Sequence, residues 1–242
     1  MINSCRNIAI IPARGGSKRI PHKNIKCFCG KPMIAYSIEA AKEAAIFDRI
    51  VVSTDSKEIA TIAKEFGAEV PFMRPAELSD DYTGTDAVTF HALKQLMEDG
   101  GKIDYICCIY ATAPFVKAEY IIKAYNLLRD KNAASCFSVT TYPFPIFRSL
   151  KINDQSRLEM FWPEYRETRS QDLPESYHDA GQFYWADVKK YLTEKQFYSK
   201  DAVPVILPRY LVQDIDSPED WETAEKMFSV LQMDKSLAKR LV

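Results

Sequence analysis

The chain has 242 residues, of which 47% are hydrophobic and 27% are charged, a composition typical of an ordinary globular protein. This length is sufficient for one α/β domain with a full hydrophobic core. The formal net charge of -1 argues against a general nucleic-acid binder, which would be basic overall. No apolar run reaches the roughly 18 residues of a membrane span, so we expect a cytoplasmic protein without a membrane partner.

The six cysteines do not have the spacing of zinc ligands, and no histidine lies at partner spacing. Cys107, Cys108 and Cys136 lie in predicted strands, where a free thiol behaves as a small hydrophobic group. We therefore interpret the cysteines as reduced, structural thiols.

The most informative stretch joins a buried-type strand to a basic loop. Residues 8–13 read IAIIPA, and residues 14–24 read RGGSKRIPHKN, with cationic side chains at Arg14, Lys18, Arg19 and Lys23. A strand that opens into a glycine-containing basic loop is typical of the place where an α/β sheet meets an anionic ligand. Glycine permits close approach of phosphate oxygens, and neighbouring N–H groups can form an anion-binding nest. The alternative is a solvated basic turn after a core strand.

Two better-known phosphate motifs are absent from this stretch. The glycines are not followed by G-x-x-x-x-G-K-[ST], and no G-x-G-x-x-G occurs. The loop is therefore neither a P-loop nor a dinucleotide fingerprint, and its distinguishing string is R-G-G-S-K-x-I-P-x-K-N.

Strand-type and helix-type segments alternate over the first 141 residues. The patterns predict strands at 49–55, 105–110 and 134–141, and helices at 31–46, after residue 55, at 85–97 and at 119–128. Asp55 and Glu58 are candidate caps of the second helix. This order predicts a parallel sheet with right-handed crossovers.

Residues 142–177 interrupt this alternation. Prolines punctuate an aromatic-rich segment, and residues 152–155 indicate a hairpin turn between two short strands. The segment is too aromatic to be a solvated linker. Because interfaces concentrate aromatic residues and arginine, we interpret it as a protruding arm that packs against another subunit. The alternative is a flap that packs on its own domain.

Two acidic residues, Asp214 and Asp216, precede a helix that we expect to begin at Ser217 and Pro218. In an extended segment residues two apart point the same way, so both carboxylates share one face. Like charges this close repel each other unless a cation or solvent lies between them. Because oxygen ligands favour Mg²⁺, we predict a magnesium site, with two solvated acids as the alternative.

The string at residues 14–24 resembles the opening motif of the CMP-sialic acid synthetase (acylneuraminate cytidylyltransferase) family. The resemblance implies a three-layer, Rossmann-like, mostly parallel nucleotide-diphosphosugar-transferase sheet. It implies a single domain over residues 1–242 with an inserted dimerisation arm at about 142–177. It also implies Mg²⁺ as the cofactor, CTP and a nonulosonic acid as substrates, pyrophosphate as a product, and a homodimer.

The resemblance also assigns the nucleotide site. Its phosphate motif, together with a second motif at residues 74–78 and a small strand-exit segment, implies these nucleotide-binding residues: Ala13, Arg14, Gly15, Gly16, Ser17, Lys18, Lys23, Asn24, Arg74, Thr85 and Thr112. Arg74 and the hydroxyl of Thr85 match family residues that face cytosine. Asp214 and Asp216 match the metal-binding acids, and the residues implied in catalysis are Arg14, Lys18 and Asp216.

Two segments depart from the sialic acid synthetase pattern. Where that pattern reads L-Q-P-T-S-P-L-R, residues 109–116 read IYATAPFV, and where it reads R-P-N-G-A-I-Y, residues 178–184 read HDAGQFY. Both segments fall where the sugar is expected, and the combination resembles the pseudaminic acid branch of the family. The implied sugar-binding residues are Tyr110, Arg169, His178, Asp179, Gln182 and Tyr184. Arg169 matches an arginine directed at the sugar or across the dimer interface, and His178 and Asp179 are candidate general bases by proximity alone.

Three alternatives remain open on the sequence. The acceptor is N-acetylneuraminate, legionaminic acid or 3-deoxy-manno-octulosonate; or the chain is a metal-dependent glycosyltransferase that uses a sugar nucleotide; or it is a nucleotide sensor or scaffold without catalysis. The metal-binding pair Asp214 and Asp216 argues against the last alternative, since a protein that only binds nucleotide has less need of it.

Overall fold

The computed structural model describes residues 6–98 and 102–240, with side chains up to residue 233. The strands are β1 (Asn7–Pro12), β2 (Cys27–Phe28), β3 (Lys31–Pro32), β4 (Arg49–Ser53), β5 (Tyr105–Ile109), β6 (Ser135–Thr141), β7 (Leu150–Ile152), β8 (Leu158–Met160), β9 (Tyr177–Asp187) and β10 (Ala202–Ile206). The α-helices are α1 (Met33–Ala44), α2 (Lys57–Glu65), α3 (Thr85–Glu98), α4 (Ala118–Asp130), α5 (Val188–Glu194) and α6 (Pro218–Arg240). Among these described helices, none combines the length and the apolar character needed to cross a bilayer.

Six strands form one central sheet in the order β10-β6-β9-β5-β1-β4. Strands β4, β1 and β5 are parallel neighbours, and β10 is parallel to β6. Strand β9 lies between β5 and β6 and is antiparallel to both. The predicted mostly parallel sheet is confirmed. Strand β9 is the exception. The chain leaves β6 and enters the neighbouring β9 at the same end of these strands, so no crossover lies between them and the two strands are antiparallel.

Two hydrophobic clusters cover the two faces of this sheet. Phe183 and Trp185 of β9 pack on the face covered by α1, α2 and α4. Tyr184 and Ala186 of the same strand pack on the opposite face, with residues of α3 and α5. This alternation is expected for a strand buried on both sides, and it produces the three layers that the family resemblance implies.

Helix α6 forms a third cluster with the β2–β3 hairpin and the basic loop. Trp221 and Ala224 are buried in this cluster together with Phe28, Met33 and Ile20. The helix begins as predicted: the Ser217 hydroxyl accepts the Asp220 N–H at 3.2 Å, and the Asp220 carboxylate accepts the Ser217 N–H at 2.7 Å. This reciprocal cap fixes the first turn of α6, directly after the acid at residue 216.

Two local predictions are wrong. Helix α2 is capped by Ser56, whose hydroxyl accepts the Ile59 N–H at 3.4 Å, and not by Asp55 or Glu58. The Asp55 carboxylate instead accepts a hydrogen bond from the Gly15 N–H. This contact with the basic loop replaces a contact with the first turn of α2. Helix α1 begins after Pro32, which occupies the cap position, and ends at Ala44.

The arm contains the predicted hairpin. Strands β7 and β8 pair antiparallel, and the Asn153 side chain accepts the N–H groups of Gln155 and Arg157 within the turn. Several large apolar side chains of the arm are exposed: Phe144, Leu150, Ile152, Leu158 and Phe161. Such a run of exposed apolar residues is typical of a surface that another protein covers.

The cysteines of the central sheet are buried. Cys107, Cys108 and Cys136 are free thiols within the core, and burial raises the pKa of Cys108 and of Cys136 to about 12. Thiols with such pKa values stay protonated at neutral pH and act as small apolar groups.

Candidate active site

A pocket of about 320 Å³ opens at the end of the sheet where β1 and β5 finish. Loops after both strands line it, together with residues 74–88 and the acid that precedes α6. In open α/β sheets, ligands bind in the crevice beyond the carboxyl ends of the strands. Most of the predicted nucleotide-binding residues line this pocket: Arg14, Ser17, Lys18, Lys23, Asn24, Arg74, Thr85 and Thr112.

The basic loop is fixed by hydrogen bonds to its surroundings. Gly15 N–H donates to Asp55 Oδ1 at 2.9 Å, and the buried Asn24 amide donates to the Arg14 carbonyl at 2.8 Å. Ala13 is buried beneath the loop. A Cβ on Gly15 would lie 3.1 Å from the Ser56 Cβ, so any larger residue here would require Ser56 to move.

The expected anion nest does not include Gly15, because its N–H is directed at Asp55. Gly16 lies in open space, because a Cβ at this position would meet no atom within 4 Å. Space beside a glycine in a basic loop is available to a ligand. Ala13, Gly15 and Gly16 therefore shape the loop, while the side chains around them line the pocket.

Two of the predicted catalytic cations hold a carboxylate. Arg14 Nη1 lies 2.6 Å from Asp81 Oδ1 and donates to the Asp80 carbonyl at 2.7 Å, and Lys18 forms an ion pair with Asp81 Oδ2. Lys18 and Arg14 hold the pKa of Asp81 below its usual range. Each oxygen of one carboxylate is thus matched by a separate cation. The same arrangement suits two oxygens of a phosphate group.

Asp216 is the residue that connects the end of the chain to the basic loop. Arg19 Nη2 lies 3.0 Å from Asp216 Oδ2, and Lys23 Nζ lies 3.3 Å from Oδ1. Lys23 also donates to the Ile215 carbonyl at 2.7 Å. The structure therefore brings together two motifs that are almost two hundred residues apart in the sequence.

Asp214 does not line the pocket, but its carboxylate lies near enough to Asp216 for the two negative charges to repel each other. Its side chain reaches solvent, and partial burial followed by the nearby Asp216 raises its pKa. Across the described residues, no cluster of three or more acidic, histidine or cysteine side chains could hold a metal. A cation at this pair would take its remaining ligands from substrate oxygens and water, as Mg²⁺ commonly does.

Arg74 is the buried cation of the pocket, with a side chain only 3% exposed. Its Nε donates to the Ser79 hydroxyl at 3.1 Å, and its Nη2 lies 3.8 Å from Asp55 Oδ1 without a hydrogen-bond partner. Burial lowers the pKa of this guanidinium. A buried donor without a partner is costly, and this one belongs to a residue that lines the pocket.

Another part of the pocket wall carries no charge. Leu78 and Val88 provide apolar surface, and the Thr85 and Tyr110 hydroxyl oxygens lie 2.8 Å apart. Apolar walls with a few fixed polar groups are typical of sites for flat heterocycles.

The predicted sugar-binding residues of β9 do not line this pocket. Gln182 is buried and donates to the Leu211 carbonyl, and His178 Nδ1 lies 2.8 Å from the Asp179 carbonyl. Asp179 and Tyr184 bond to each other at 2.6 Å. The structure thus gives each of these side chains a protein partner, while Tyr110 alone of the sugar set reaches the pocket wall.

Arg169 lies on the arm, away from the pocket. Its Nε is 2.7 Å from Asp172 Oδ2. The sequence reasoning named Arg19 and Asp55 without placing them among the site residues, and it missed Asp81. Both acids lie 40 or more residues from the residues of the basic loop that they contact, so no local sequence signal connects them to it.

Comparison with known proteins identifies the family. A model of the cytidylyltransferase family matches residues 8–239. The chain is 42% identical to the pseudaminic acid cytidylyltransferase of Campylobacter jejuni, over 93% of this chain and 97% of that one. It is 34% identical to the CMP-N,N'-diacetyllegionaminic acid synthase of Legionella pneumophila, over 94% and 98% of the two chains.

Solved structures agree on the fold. A CMP:2-keto-3-deoxy-manno-octonic acid synthetase complexed with CTP superposes with a TM-score of 0.66 and 17% sequence identity, covering 93% of this chain and 98% of that one. This likeness concerns the α/β fold, whereas the sequence matches concern the family. The chain belongs to the cytidylyltransferase family.

Proposed function

We propose that the protein transfers the cytidylyl group of CTP to a nonulosonic acid, pseudaminic acid, and releases pyrophosphate. The observation that carries this proposal is the pocket with two separate cation pairs, Arg14–Lys18 and Arg19–Lys23, each placed on a carboxylate. A triphosphate needs several such anion contacts, and the uncharged wall beside Thr85 offers room for a base.

The choice of acceptor rests on the relatives. The chain is 42% identical to pseudaminic acid cytidylyltransferases from two Campylobacter jejuni strains, compared with 34% for the legionaminic acid relative. Tyr110 and Asp179 occupy positions where sialic acid synthetases carry other residues, and both lie in one connected group of side chains. These features favour the pseudaminic acid branch.

The reaction that follows is an in-line nucleotidyl transfer. The anomeric hydroxyl of the acceptor forms a bond to the α-phosphorus, and the bond from that phosphorus to the bridging oxygen of pyrophosphate breaks. Arg14 and Lys18 would bind the β- and γ-phosphate oxygens, where negative charge increases as pyrophosphate leaves. Cations that are preorganised at that position stabilise the transition state and so lower the free-energy barrier of the transfer.

The carboxylates of Asp214 and Asp216 would suit Mg²⁺, because they supply oxygen ligands only. When bound, Mg²⁺ would neutralise phosphate charge and acidify the acceptor hydroxyl. Engagement of Asp216 by the metal would free Arg19 and Lys23 for phosphate oxygens. We assign no side chain as a general base, since the carboxylate of Asp179 already accepts three hydrogen bonds.

We also propose that the protein is a cytoplasmic homodimer formed through the arm. Phe144 is 79% exposed, and Ile152 and Leu158 of the hairpin are 73% and 72% exposed. Burial of such side chains against a second copy would stabilise a dimer. Arg169, on the same arm, would then lie at or near the interface.

The test is a pyrophosphate-release assay with CTP and Mg²⁺ over purified pseudaminic, legionaminic, N-acetylneuraminic and 3-deoxy-manno-octulosonic acids. We expect the highest kcat/KM with pseudaminic acid. Equal or higher values with another acid would contradict the acceptor assignment. Absence of pyrophosphate release with all four acids would contradict the cytidylyl transfer itself.

A further inference from the structure

The two acids of the proposed metal pair lie on a segment that belongs to no strand and no helix. Strand β10 ends at Ile206, a short 3₁₀ helix covers Arg209–Leu211, and residues 212–216 then continue without regular structure to the start of α6. Pairing within the sheet therefore does not fix the position of Asp214 and Asp216. Other hydrogen bonds must hold residues 211–216, which we call the acid segment, beside the pocket.

Two side chains from distant parts of the chain bind carbonyl groups near the two ends of the acid segment. Gln182 Nε2 donates to the Leu211 carbonyl, and Lys23 Nζ donates to the Ile215 carbonyl at 2.7 Å. The side chains of Leu211 and Ile215 are both buried. The acid segment is thus held on either side of Asp214, by a different side chain in each place.

Gln182 connects the acid segment to a strand that ends at the pocket. This residue of β9 is only 4% exposed, and its own carbonyl accepts the Tyr110 N–H at 2.8 Å. Tyr110 directly follows β5 and lines the pocket. Through its backbone and its side chain, Gln182 therefore joins the end of β5 to the acid segment. The family resemblance implied contact with the sugar for this residue, whereas its buried amide is used within the protein.

We propose that Gln182 is a positioning residue for catalysis, which holds the acid segment against the end of β5 and so keeps Asp214 and Asp216 in place beside the pocket. Loss of its amide donor would leave the buried Leu211 carbonyl without a partner, and such a loss is costly. The inference rests on the proposed function, because metal-dependent transfer is what requires the two acids at a fixed position. It gives Gln182 a role that needs no contact with either substrate.

The neighbouring strand supplies a contact of the same kind at a place that the sheet already fixes. The buried Thr140 hydroxyl of β6 donates to the Leu207 carbonyl at 2.9 Å. The Leu207 N–H also donates to the Val139 carbonyl, so this residue stays attached to β6 without the Thr140 side chain. Thr140→Val and Gln182→Met each remove one buried donor from a carbonyl between β10 and α6. Only Gln182→Met should release the acid segment.

Hydrogen exchange followed by mass spectrometry measures this attachment without metal or nucleotide. We expect the amides of residues 212–216 to exchange roughly five- to tenfold faster in Gln182→Met than in Thr140→Val, the fold-change that corresponds to one buried hydrogen bond.

Calorimetry on the full chain then measures the factor by which Mg²⁺ raises the affinity for CTP. This factor should fall by a similar amount in Gln182→Met and stay unchanged in Thr140→Val. General structural damage would weaken CTP binding equally with and without Mg²⁺, and it would leave the factor as it was.

Equal exchange rates in the two variants overturn the inference, and so does an unchanged Mg²⁺ factor in Gln182→Met. If Gln182→Met does not fold, the unaltered protein decides. Exchange of residues 212–216 at the rate of an unstructured peptide overturns the attachment, and slow exchange supports it. Absence of a Mg²⁺ effect on CTP affinity in the unaltered protein contradicts the proposed metal pair itself, and the inference fails with it.

Discussion

The proposed nucleotide side and the proposed acceptor side of this protein are built differently. On the nucleotide side, the cations meet charged partners within the same chain, as Arg14 and Lys18 do at Asp81. On the acceptor side, residues of β9 bond to other protein groups, and the arm exposes Phe144 and Leu158. We infer that the nucleotide side is complete in one subunit, while the acceptor side depends on the arm of a second one.

The largest effect is expected from Asp216→Asn, which removes a charge from the predicted metal site and from the contact with Lys23. We expect turnover in the pyrophosphate-release assay to fall by roughly a thousandfold, with the circular dichroism spectrum retained. Glu219→Gln, an acid-to-amide change at an exposed position three residues later, is the matched control and should keep its activity. Near-normal turnover in Asp216→Asn would contradict the metal assignment.

Lys18→Ala should have the next largest effect, because this side chain is placed to meet charge that increases in the transition state. We expect kcat to fall roughly a hundredfold, a loss of a few kcal/mol in transition-state stabilisation. The exposed Lys64 on α2 supplies the control substitution Lys64→Ala. A rise in KM for CTP with unchanged kcat would instead make Lys18 a simple binding residue.

A carboxylate introduced on the β7–β8 hairpin tests whether the proposed acceptor side depends on a second subunit. Leu158→Asp should convert the proposed dimer to a monomer of 27.7 kDa, measured by light scattering, because an exposed apolar contact is replaced by a carboxylate. CTP affinity should be retained, and KM for the acceptor should rise by roughly tenfold. Loss of CTP binding in the same variant would contradict the inference that the nucleotide side is complete in one subunit.

The smallest effect is expected from Asp81→Asn. Its carboxylate occupies Arg14 and Lys18, so it competes with phosphate oxygens for the same cations. We expect CTP to bind about two- to fivefold more tightly, the scale of an exposed ion pair. Weaker binding, measured by isothermal titration calorimetry, would show that Asp81 helps to hold the nucleotide.

Regular patterns in the sequence predicted the alternating strands and helices, the hairpin of the arm and the start of α6. The resemblance assigned Asp216 and the basic loop to one active site, with Asp216 as a metal ligand. The structure places Asp216 against Arg19 and Lys23, two contacts that the sequence analysis did not predict. The roles of these residues in binding and catalysis stay predictions.

Other features depend on three-dimensional contacts that no local pattern encodes. Both Asp55 and Ser56 are good helix caps, and the choice between them is made by Gly15, forty residues earlier in the chain. The pairing of β6 and β9 is likewise irregular between Phe137 and Val139, beside the carboxylate of Asp179 that accepts from Tyr184 and Tyr198. A sequence pattern of period two cannot anticipate such a shift.

The two ends of the arm meet at its base, and this affects how the arm tolerates changes in length. Thr141 and Tyr177 pair across β6 and β9, and Tyr142 N–H donates to the Ser176 carbonyl at 3.2 Å. Because the two ends already meet, lengthening or shortening the segment between them alters little of the entropy of closing it. We therefore expect insertions and deletions within the arm to leave the pairing of β6 and β9, and the sheet to which they belong, intact.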